Sequence, residues 1–182
     1  MGMTVDVDRR TAEERFRSVF AHLGAVTAYA RRRGSKDADA LAADVMTVAW
    51  RRLADVPADD ALPWLYATAR NLVLAEARLS AQAAGTSVRE LERIAAASEP
   101  HELDPELVRA LRSLSQLDRE ALLLVAWEDL TPNQAAKALG INPTAFRVRL
   151  LRARRRLRAS LDRPAADGRP PAALAQLDVE GT

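Results

Sequence analysis

Two closely spaced helix-start signals near the C-terminal end constrain the fold more than any other feature. Thr131-Pro132 and Asn142-Pro143 each place a capping residue before a proline, which is well tolerated at the first helical position. Gly140 supplies a helix stop between them. Helices joined by so short a turn pack on each other, with Ala136 at the crossing and a shared core of Leu139, Ile141, Phe146 and Leu150. This spacing predicts a helix-turn-helix.

The second of these helices carries an unusual charge. From Asn142 to Leu161 the sequence NPTAFRVRLLRARRRLRASL contains seven arginines and no acidic residue, although the whole chain has a formal net charge of only +2. Residues 105–160 hold eleven basic against five acidic residues. A basic face can simply be solvated, or can bind a protein, but the helix-turn-helix in front of it favours DNA as the partner.

A rotation of 100° per residue sorts this second helix into two faces. The inward face contains Phe146, Leu150, Ala153 and Leu157. The outward face contains Thr144, Val148, Leu151, Arg152 and Arg155, flanked by Arg147 and Arg158. The N-terminal part of such a helix enters the major groove, so the candidates for base contacts are Thr144, Arg147, Val148 and Leu151. The expected phosphate contacts are Arg152, Arg154, Arg155, Arg156 and Arg158.

The rest of the sequence predicts an all-α fold of two small helical domains joined by a flexible linker. Ala, Leu, Arg and Glu are abundant, and strand-favouring residues are sparse. Apolar residues recur at helical spacing from Glu13 to Arg33 and again from about Ala38 to Leu53. Pro63 suits the first turn of a third helix, PWLYATARNLVLAEARL. Together these helices predict a first domain at residues 10–80.

Composition changes twice in the remainder. Residues 81–104 are small, polar and acidic, which predicts the linker, with a short helix possible at 87–97. Helical spacing resumes at 105–160, where a buried helix is expected from Ala121 to Trp127 and an apolar stripe at Leu107, Leu111, Leu114 and Leu117. Residues 161–182 contain three prolines and little pattern, which predicts a disordered tail.

Several classes of function have no support in the sequence. The chain has no cysteine and only two histidines, so we expect no disulfide, metal site or cofactor. No Ser/His/Asp set or glycine-rich phosphate loop is present, which argues against an enzyme. No apolar run approaches the ~20 residues that span a bilayer, and the N-terminus lacks a signal-peptide core. We therefore expect no membrane insertion and a cytoplasmic location.

Two parts of the chain resemble one protein family, and they occur in the order in which that family has them. LDREALLLVAWEDLTPNQAAKALGINPTAFRVRLLRARRRL is similar to region 4 of the sigma-70 family, specifically the extracytoplasmic-function (ECF) group of bacterial sigma factors. DADALAADVMTVAWRRL and PWLYATARNLVL resemble region 2 of the same group. The resemblance implies a non-enzymatic subunit that binds core RNA polymerase, directs it to promoter DNA, and is itself bound by an anti-sigma factor.

The resemblance also implies residue roles. Contacts with the minus-35 element fall on Thr131, Asn142, Thr144, Arg147, Val148, Leu151, Arg152 and Arg155. Contacts with the minus-10 element fall on Asp59, Asp60, Trp64, Tyr66, Arg70 and Asn71. Polymerase docking falls on Asp39, Leu41, Asp44, Val45, Thr47, Val48 and Arg51. Trp64 fits equally well as a core residue, and Tyr66 and Asn71 point about 140° apart on an ideal helix.

The sequence departs from the family pattern in three places. Ala40 and Ala43 stand where polar docking residues are usual, and the helix after Pro63 is followed by Arg78 alone instead of a run of arginines. Val148 and Leu151 are apolar on the outward face of the DNA-reading helix. They can contact thymine methyl groups, or can be covered by an inhibitory protein or by region 2 in the free chain; we favour the second hypothesis.

Two other functions stay open at this point. A helix-turn-helix regulator that acts without polymerase would use residues 1–80 as a sensing or dimerising domain, and would bind palindromic sites as a dimer. A degenerate sigma factor that titrates an anti-sigma factor would suit the missing polar residues at Ala40 and Ala43.

Overall fold

The computed structural model describes residues 3–83 and 104–162, with side chains from residue 10 onward. Eight α-helices and one 3-10 helix form these segments, which contain no strand. The N-terminal half contains α1 Met3–Phe20, α2 Leu23–Arg32, α3 Ala38–Arg51, the 3-10 helix Leu53–Asp55 and α4 Ala61–Ala83. The C-terminal half contains α5 Pro105–Arg112, α6 Gln116–Ala126, α7 Pro132–Leu139 and α8 Pro143–Leu161. The predicted all-α fold is confirmed.

The single helix predicted from Glu13 to Arg33 is wrong. The chain turns at Ala21 and His22, where the His22 N–H donates to Val19 O at 3.1 Å, and a second helix then begins at Leu23. The turn redirects the chain so that both Val19 and Val26 reach the core, at 3% and 0% exposure. Apolar spacing continues across the turn, which is why the periodicity alone does not reveal it.

The N-terminal half is held together by α2, α3 and α4, which pack on one another, while α1 packs on α3. The Asp37 side chain caps α3 by accepting from the Ala40 N–H at 2.9 Å. Glu76 of α4 accepts from the Ser35 hydroxyl and from the Lys36 N–H, at 2.9 and 2.8 Å. The α2–α3 connection is thereby fixed to α4.

In the C-terminal half, α8 packs against α5, α6 and α7. Three of the helix starts are capped as the sequence predicts or allows: Ser115 accepts from the Asp118 N–H, Thr131 forms a capping box with Gln134, and Asn142 accepts from the Thr144 N–H. Leu117 was expected in the apolar stripe of this half but is 38% exposed, because it lies on the first turn of α6.

The two halves share one apolar core. Its buried residues come from both halves without a break, and α4 packs directly against α7. The predicted linker helix at 87–97, most of the predicted linker and nearly all of the predicted tail lie outside the described residues. The domain boundaries stay predictions.

Candidate nucleic-acid interface

The helix-turn-helix is formed by α7 and α8. Gly140 ends α7 with φ 65° and ψ 31°, a left-handed conformation that favours glycine, and its N–H donates to Ala136 O and Lys137 O. Ala136 and Phe146 are fully buried between the helices, and Leu150 is 5% exposed. Thr131 and Asn142, both predicted at the minus-35 interface, are exposed residues whose side chains cap the two helices. They thereby fix the position of each helix start.

The outward face of α8 is open to solvent. Thr144, Arg147, Val148, Leu151, Arg152 and Arg155 are all exposed. Arg147 Nη2 donates to the Asn133 side-chain oxygen at 3.1 Å, which ties this arginine to α7. Val148 is 43% and Leu151 52% exposed, so no part of the described N-terminal half buries them. The hypothesis that region 2 covers these two residues in the free chain is therefore wrong for the described residues.

Asp118, on the first turn of α6, neutralises part of the arginine run. It is 3% exposed and accepts from Arg149 Nη1 at 2.9 Å and from Arg156 Nη1. Arg156 was expected to contact phosphate, but here it holds α8 against α6. One signal of this pairing is visible along the chain: an acidic residue lies beside the apolar stripe of α6. Within the described residues, Arg152, Arg154, Arg155 and Arg158 are exposed and form no ion pair.

The acidic loop before α4 contacts the helix-turn-helix. Asp59 is exposed, whereas Asp60 accepts from Gln134 Nε2 at 2.8 Å and from Lys137 Nζ at 3.0 Å, both on α7. Partial burial tends to raise the pKa of Asp60, but the hydrogen bonds from Gln134 and Lys137 outweigh it, so the pKa lies below the usual 3.8. A predicted minus-10 residue is thus engaged by the other half.

The aromatic residues predicted for the minus-10 element differ in exposure. Trp64 is half-buried, packs against the core, and lies 5.8 Å from the Arg52 guanidinium. Tyr66 is only 3% exposed and stacks on Tyr29, with ring centroids 4.9 Å apart and an interplanar angle of 22°. Asn71 is exposed and Arg70 half-buried. In this conformation Tyr66 is not accessible to a base.

The predicted docking residues on α3 also divide into two groups. Asp39, Asp44, Thr47 and Arg51 are exposed and Val48 is half-buried, whereas Leu41 and Val45 are 6% and 0% exposed and belong to the core. Trp50, on the outward side of α3, was not predicted as a site residue from the sequence. Trp50 is 46% exposed and meets the Phe16 ring edge-on at 5.0 Å, and Phe20, 48% exposed, lies beside Phe16. An aromatic surface therefore adjoins the exposed docking residues.

A second group of residues was also not predicted from the sequence: charged side chains that lie between the two halves. Arg32 and Arg33 at the end of α2 meet Glu120 and Glu128 of the C-terminal half. Each of these side chains looks like an ordinary solvated residue of a helix or helix end in the sequence. No pattern along the chain links them, because 87 or more positions separate the partners.

Other kinds of site find no support in the part of the chain that the structure describes. No helix there is long and apolar enough to cross a membrane. No group of three or more acidic or histidine side chains within the same residues could hold a metal ion.

Comparison with known proteins agrees with this geometry. The family model described as "Sigma-70, region 4" matches residues 105–157. A solved structure of CnrH in complex with the cytosolic domain of CnrY is 27% identical, with a TM-score of 0.58, and the match covers 85% of this chain and 97% of that one. A search among curated proteins finds no match.

A second solved structure has a similar fold. It is the sigma factor RpoE in complex with the anti-sigma factor NepR from Bartonella quintana, at 22% identity and a TM-score of 0.59, covering 80% of this chain and 95% of that one. The two-part helical fold and the basic helix-turn-helix define a DNA-binding protein. The region 4 match at residues 105–157 and the similar folds support a sigma-70 family factor of the ECF type, a class that acts in transcription initiation and is not catalytic. The predicted family is confirmed.

Proposed function

We propose that the chain binds core RNA polymerase in the cytoplasm and directs it to promoters by contacting both the minus-35 and the minus-10 elements. The observation that carries this proposal is the outward face of α8, where exposed arginines that form no ion pair within the described residues follow the N-terminal turn of a helix-turn-helix. The domains would be residues 10–80 for polymerase docking and minus-10 contact, and 105–160 for minus-35 contact.

In the minus-35 contact, Thr144, Arg147, Val148 and Leu151 would face base edges. Arg147 is the residue most suited to guanine, because a guanidinium can donate two parallel hydrogen bonds to one base, and its link to Asn133 limits its orientations. Arg152 and Arg155 would contact phosphates, as would Arg154 and Arg158. Thr131 and Asn142 support the contact by capping α7 and α8 near the DNA backbone.

In the polymerase contact, the exposed residues of α3 would form the docking surface. Those residues are Asp39, Asp44, Thr47 and Arg51, with half-buried Val48 at the edge. Ala40 and Ala43 are exposed on the same helix and offer no polar contact. Trp50 and the neighbouring Phe16 and Phe20 would supply apolar contact area in their place. Leu41 and Val45 would act indirectly, by holding α3 in position from the core.

In the minus-10 contact, Asp59, Trp64, Arg70 and Asn71 are the residues already at least partly accessible. Asp60 and Tyr66 would contribute only after their contacts with the C-terminal half and with Tyr29 are released. Stacking of a base on an aromatic side chain provides the physical basis for such a contact. A protein similar in fold is bound by an anti-sigma factor, which supports an anti-sigma factor as a further partner of this chain.

The test is in vitro transcription with purified bacterial core polymerase on a pool of genomic promoters. We expect transcripts that require the chain and start at a defined promoter set. Arg147→Ala should abolish or redirect this selection, Arg152→Ala should weaken all promoters alike, and Arg17→Ala, an exposed arginine on α1, should change nothing. DNA binding without transcripts and without a polymerase complex would contradict the proposal and favour a regulator acting alone.

A further inference from the structure

Six side chains form what we call the interface charge cluster: Tyr29, Arg32, Arg33, Tyr66, Glu120 and Glu128. Arg33 donates to both carboxylates, through Nε to Glu120 at 3.0 Å and through Nη1 to Glu128 at 2.8 Å. Arg32 also pairs with Glu128. The Tyr29 hydroxyl donates to Glu120 at 2.8 Å, and the Arg33 guanidinium lies 4.3 Å from the centre of the Tyr29 ring. Every ion pair of the cluster joins one half to the other.

The cluster is buried. The Arg33 side chain is 8% exposed, that of Glu128 1% and that of Glu120 12%. Burial lowers the pKa of Arg33, but the charge of Glu120 and the other neighbours more than offsets it, so the guanidinium stays charged. Removing one partner of a buried pair leaves the other charge uncompensated. The cluster is therefore stable only when all of its members are in place.

Separation of the halves offers these charges a second low-energy state. Two arginines and two glutamates balance one another in the closed arrangement, and each regains water when the halves part. The desolvation cost of a buried ion pair largely offsets its attraction, so the ion pairs favour closure less than their number suggests, and the shared apolar core adds to them. Closed and open states can thus interconvert when a partner binds one of them better.

Closure affects the two predicted DNA contacts unequally. It places Glu128 against Tyr66, which also stacks on Tyr29 of its own half, and it occupies Asp60 with Gln134 and Lys137 of α7. It leaves the outward face of α8 exposed, including Arg147 and Leu151. Two of the six predicted minus-10 residues, Tyr66 and Asp60, are therefore engaged by the C-terminal half, whereas the outward face of α8 is open.

We propose that the interface charge cluster holds the free chain closed, so that Tyr66 and Asp60 cannot contact single-stranded DNA until the halves separate, while α8 stays competent for duplex DNA. The closed state is thus an autoinhibitory contact that needs no second protein. The consequences of closure for DNA binding rest on the function proposed above. The closure itself does not, because it is defined by contacts within the chain.

Closure is tested by the distance between dyes on the two halves of the full chain. The chain has no cysteine, so Glu14→Cys on α1 and Ala159→Cys on α8 create two exposed labelling sites. Single-molecule energy transfer should give one narrow distribution for the parent. Glu120→Gln with Glu128→Gln should broaden it and lower the transfer efficiency. Asp55→Asn should not, because Asp55 also pairs with an arginine, Arg52, but within one half.

Two measurements guard against misfolding of the double variant. The helix content of the whole chain, measured by circular dichroism, should match that of the parent. Asp60→Ala, which removes a contact at the edge of the interface without touching a buried charge, should produce a smaller change in the same direction. A broad parent distribution, or a double variant as narrow as the parent, would overturn the proposed closure.

DNA binding then separates this inference from the proposed function. The probes are a single-stranded 12-nucleotide pool and a duplex pool of random sequence. If the parent is about one-tenth open, the double variant should bind the single strands about tenfold more tightly. Binding to duplex should be almost unchanged in the double variant and weakened by Arg152→Ala. If the double variant opened but bound single strands no more tightly than the parent, the masking of Tyr66 and Asp60 would be overturned. Unchanged duplex binding by Arg152→Ala would overturn the minus-35 assignment instead.

Discussion

The two halves of the chain present their predicted DNA contacts in opposite ways. In the C-terminal half, most of these residues lie exposed on the outward face of α8. Within the described residues, only Arg147, through Asn133, has a side-chain partner there from a neighbouring helix. In the N-terminal half, Tyr66 is enclosed and Asp60 is hydrogen-bonded to α7. One half is ready to bind as it stands, and the other must first lose contacts.

Helices α8 and α4 each pack on three other helices, and the difference arises from where those neighbours lie. Helix α8 packs on α5, α6 and α7 on one side only, so its opposite face stays free. Helix α4 packs on α2 and α3 and also on α7 of the other half. The face that a helix shows to solvent is therefore set by the whole molecule, even where the residues on that face are clear from the sequence.

The largest expected effect concerns Tyr66. Tyr66→Ala should lower the free energy of unfolding by about 3–5 kcal/mol, because it removes a buried ring that stacks on Tyr29. Tyr66→Phe, which keeps the ring, should cost about 1 kcal/mol. Urea denaturation measures both. A loss as small for alanine as for phenylalanine would mean that Tyr66 is not enclosed, and the contrast between the halves would fail.

A second effect appears at alkaline pH. Burial and the nearby Glu128 raise the pKa of Tyr66 to about 12, and burial and Glu120 raise that of Tyr29 well above 10.0, against the opposing charges of Arg32, Arg33 and Arg70. Tyrosines freed from the interface ionise near pH 10. The stability from the neutral hydroxyls is therefore complete below pH 10 and is lost as pH rises toward 12.

Tyrosinate absorbance measures this loss, because the chain has two tyrosines and both lie in the interface charge cluster. The titration should be displaced upward and should coincide with the fall in energy transfer between the halves. Tyr66→Phe is the control and should leave one displaced transition. An ordinary titration near pH 10, with the halves still closed, would contradict the enclosed state of these residues.

A third effect concerns the sequence preference that Arg147 on α8 provides. Arg147→Ala should reduce discrimination between the preferred minus-35 sequence and one with an altered guanine by about 1–3 kcal/mol. Stability should change little, because Arg147 is exposed. Fluorescence anisotropy with both duplexes measures the difference. A uniform loss on both sequences would assign Arg147 to phosphate, and no loss would remove it from the interface.

The smallest effect concerns Asp60. Asp60→Asn should lower stability by less than about 1 kcal/mol, because its ion pair with Lys137 is at the surface. The pKa of Asp60 lies below 3.8 in the folded chain, so the contribution is present above about pH 4 and is lost as pH falls through that lowered pKa. The parent and the variant should therefore become equally stable in acid. A difference that persisted in acid would show that charge is not its source.

The sequence allows the C-terminal half to be predicted well. Thr131, Gly140 and Asn142 specify helix ends through local chemistry, and the inward face of α8 follows from its rotation. The turn between α1 and α2 was missed because apolar spacing runs through it. Burial of Tyr66 beside Tyr29, and the pairing of Arg33 with Glu120 and Glu128, depend on tertiary contacts that local pattern does not encode.

Asp118 acts as a built-in counterion for α8. DNA binding releases condensed cations in proportion to the phosphates that a protein neutralises, with a slope of log affinity against log salt of about −0.9 per phosphate. If all seven arginines of α8 reached phosphate, the slope would be about −6.3. With Arg149 and Arg156 held by Asp118, at most five remain, and the slope is about −4.5. The acidic residue thus makes the affinity of this helix for DNA less sensitive to the ionic strength around it.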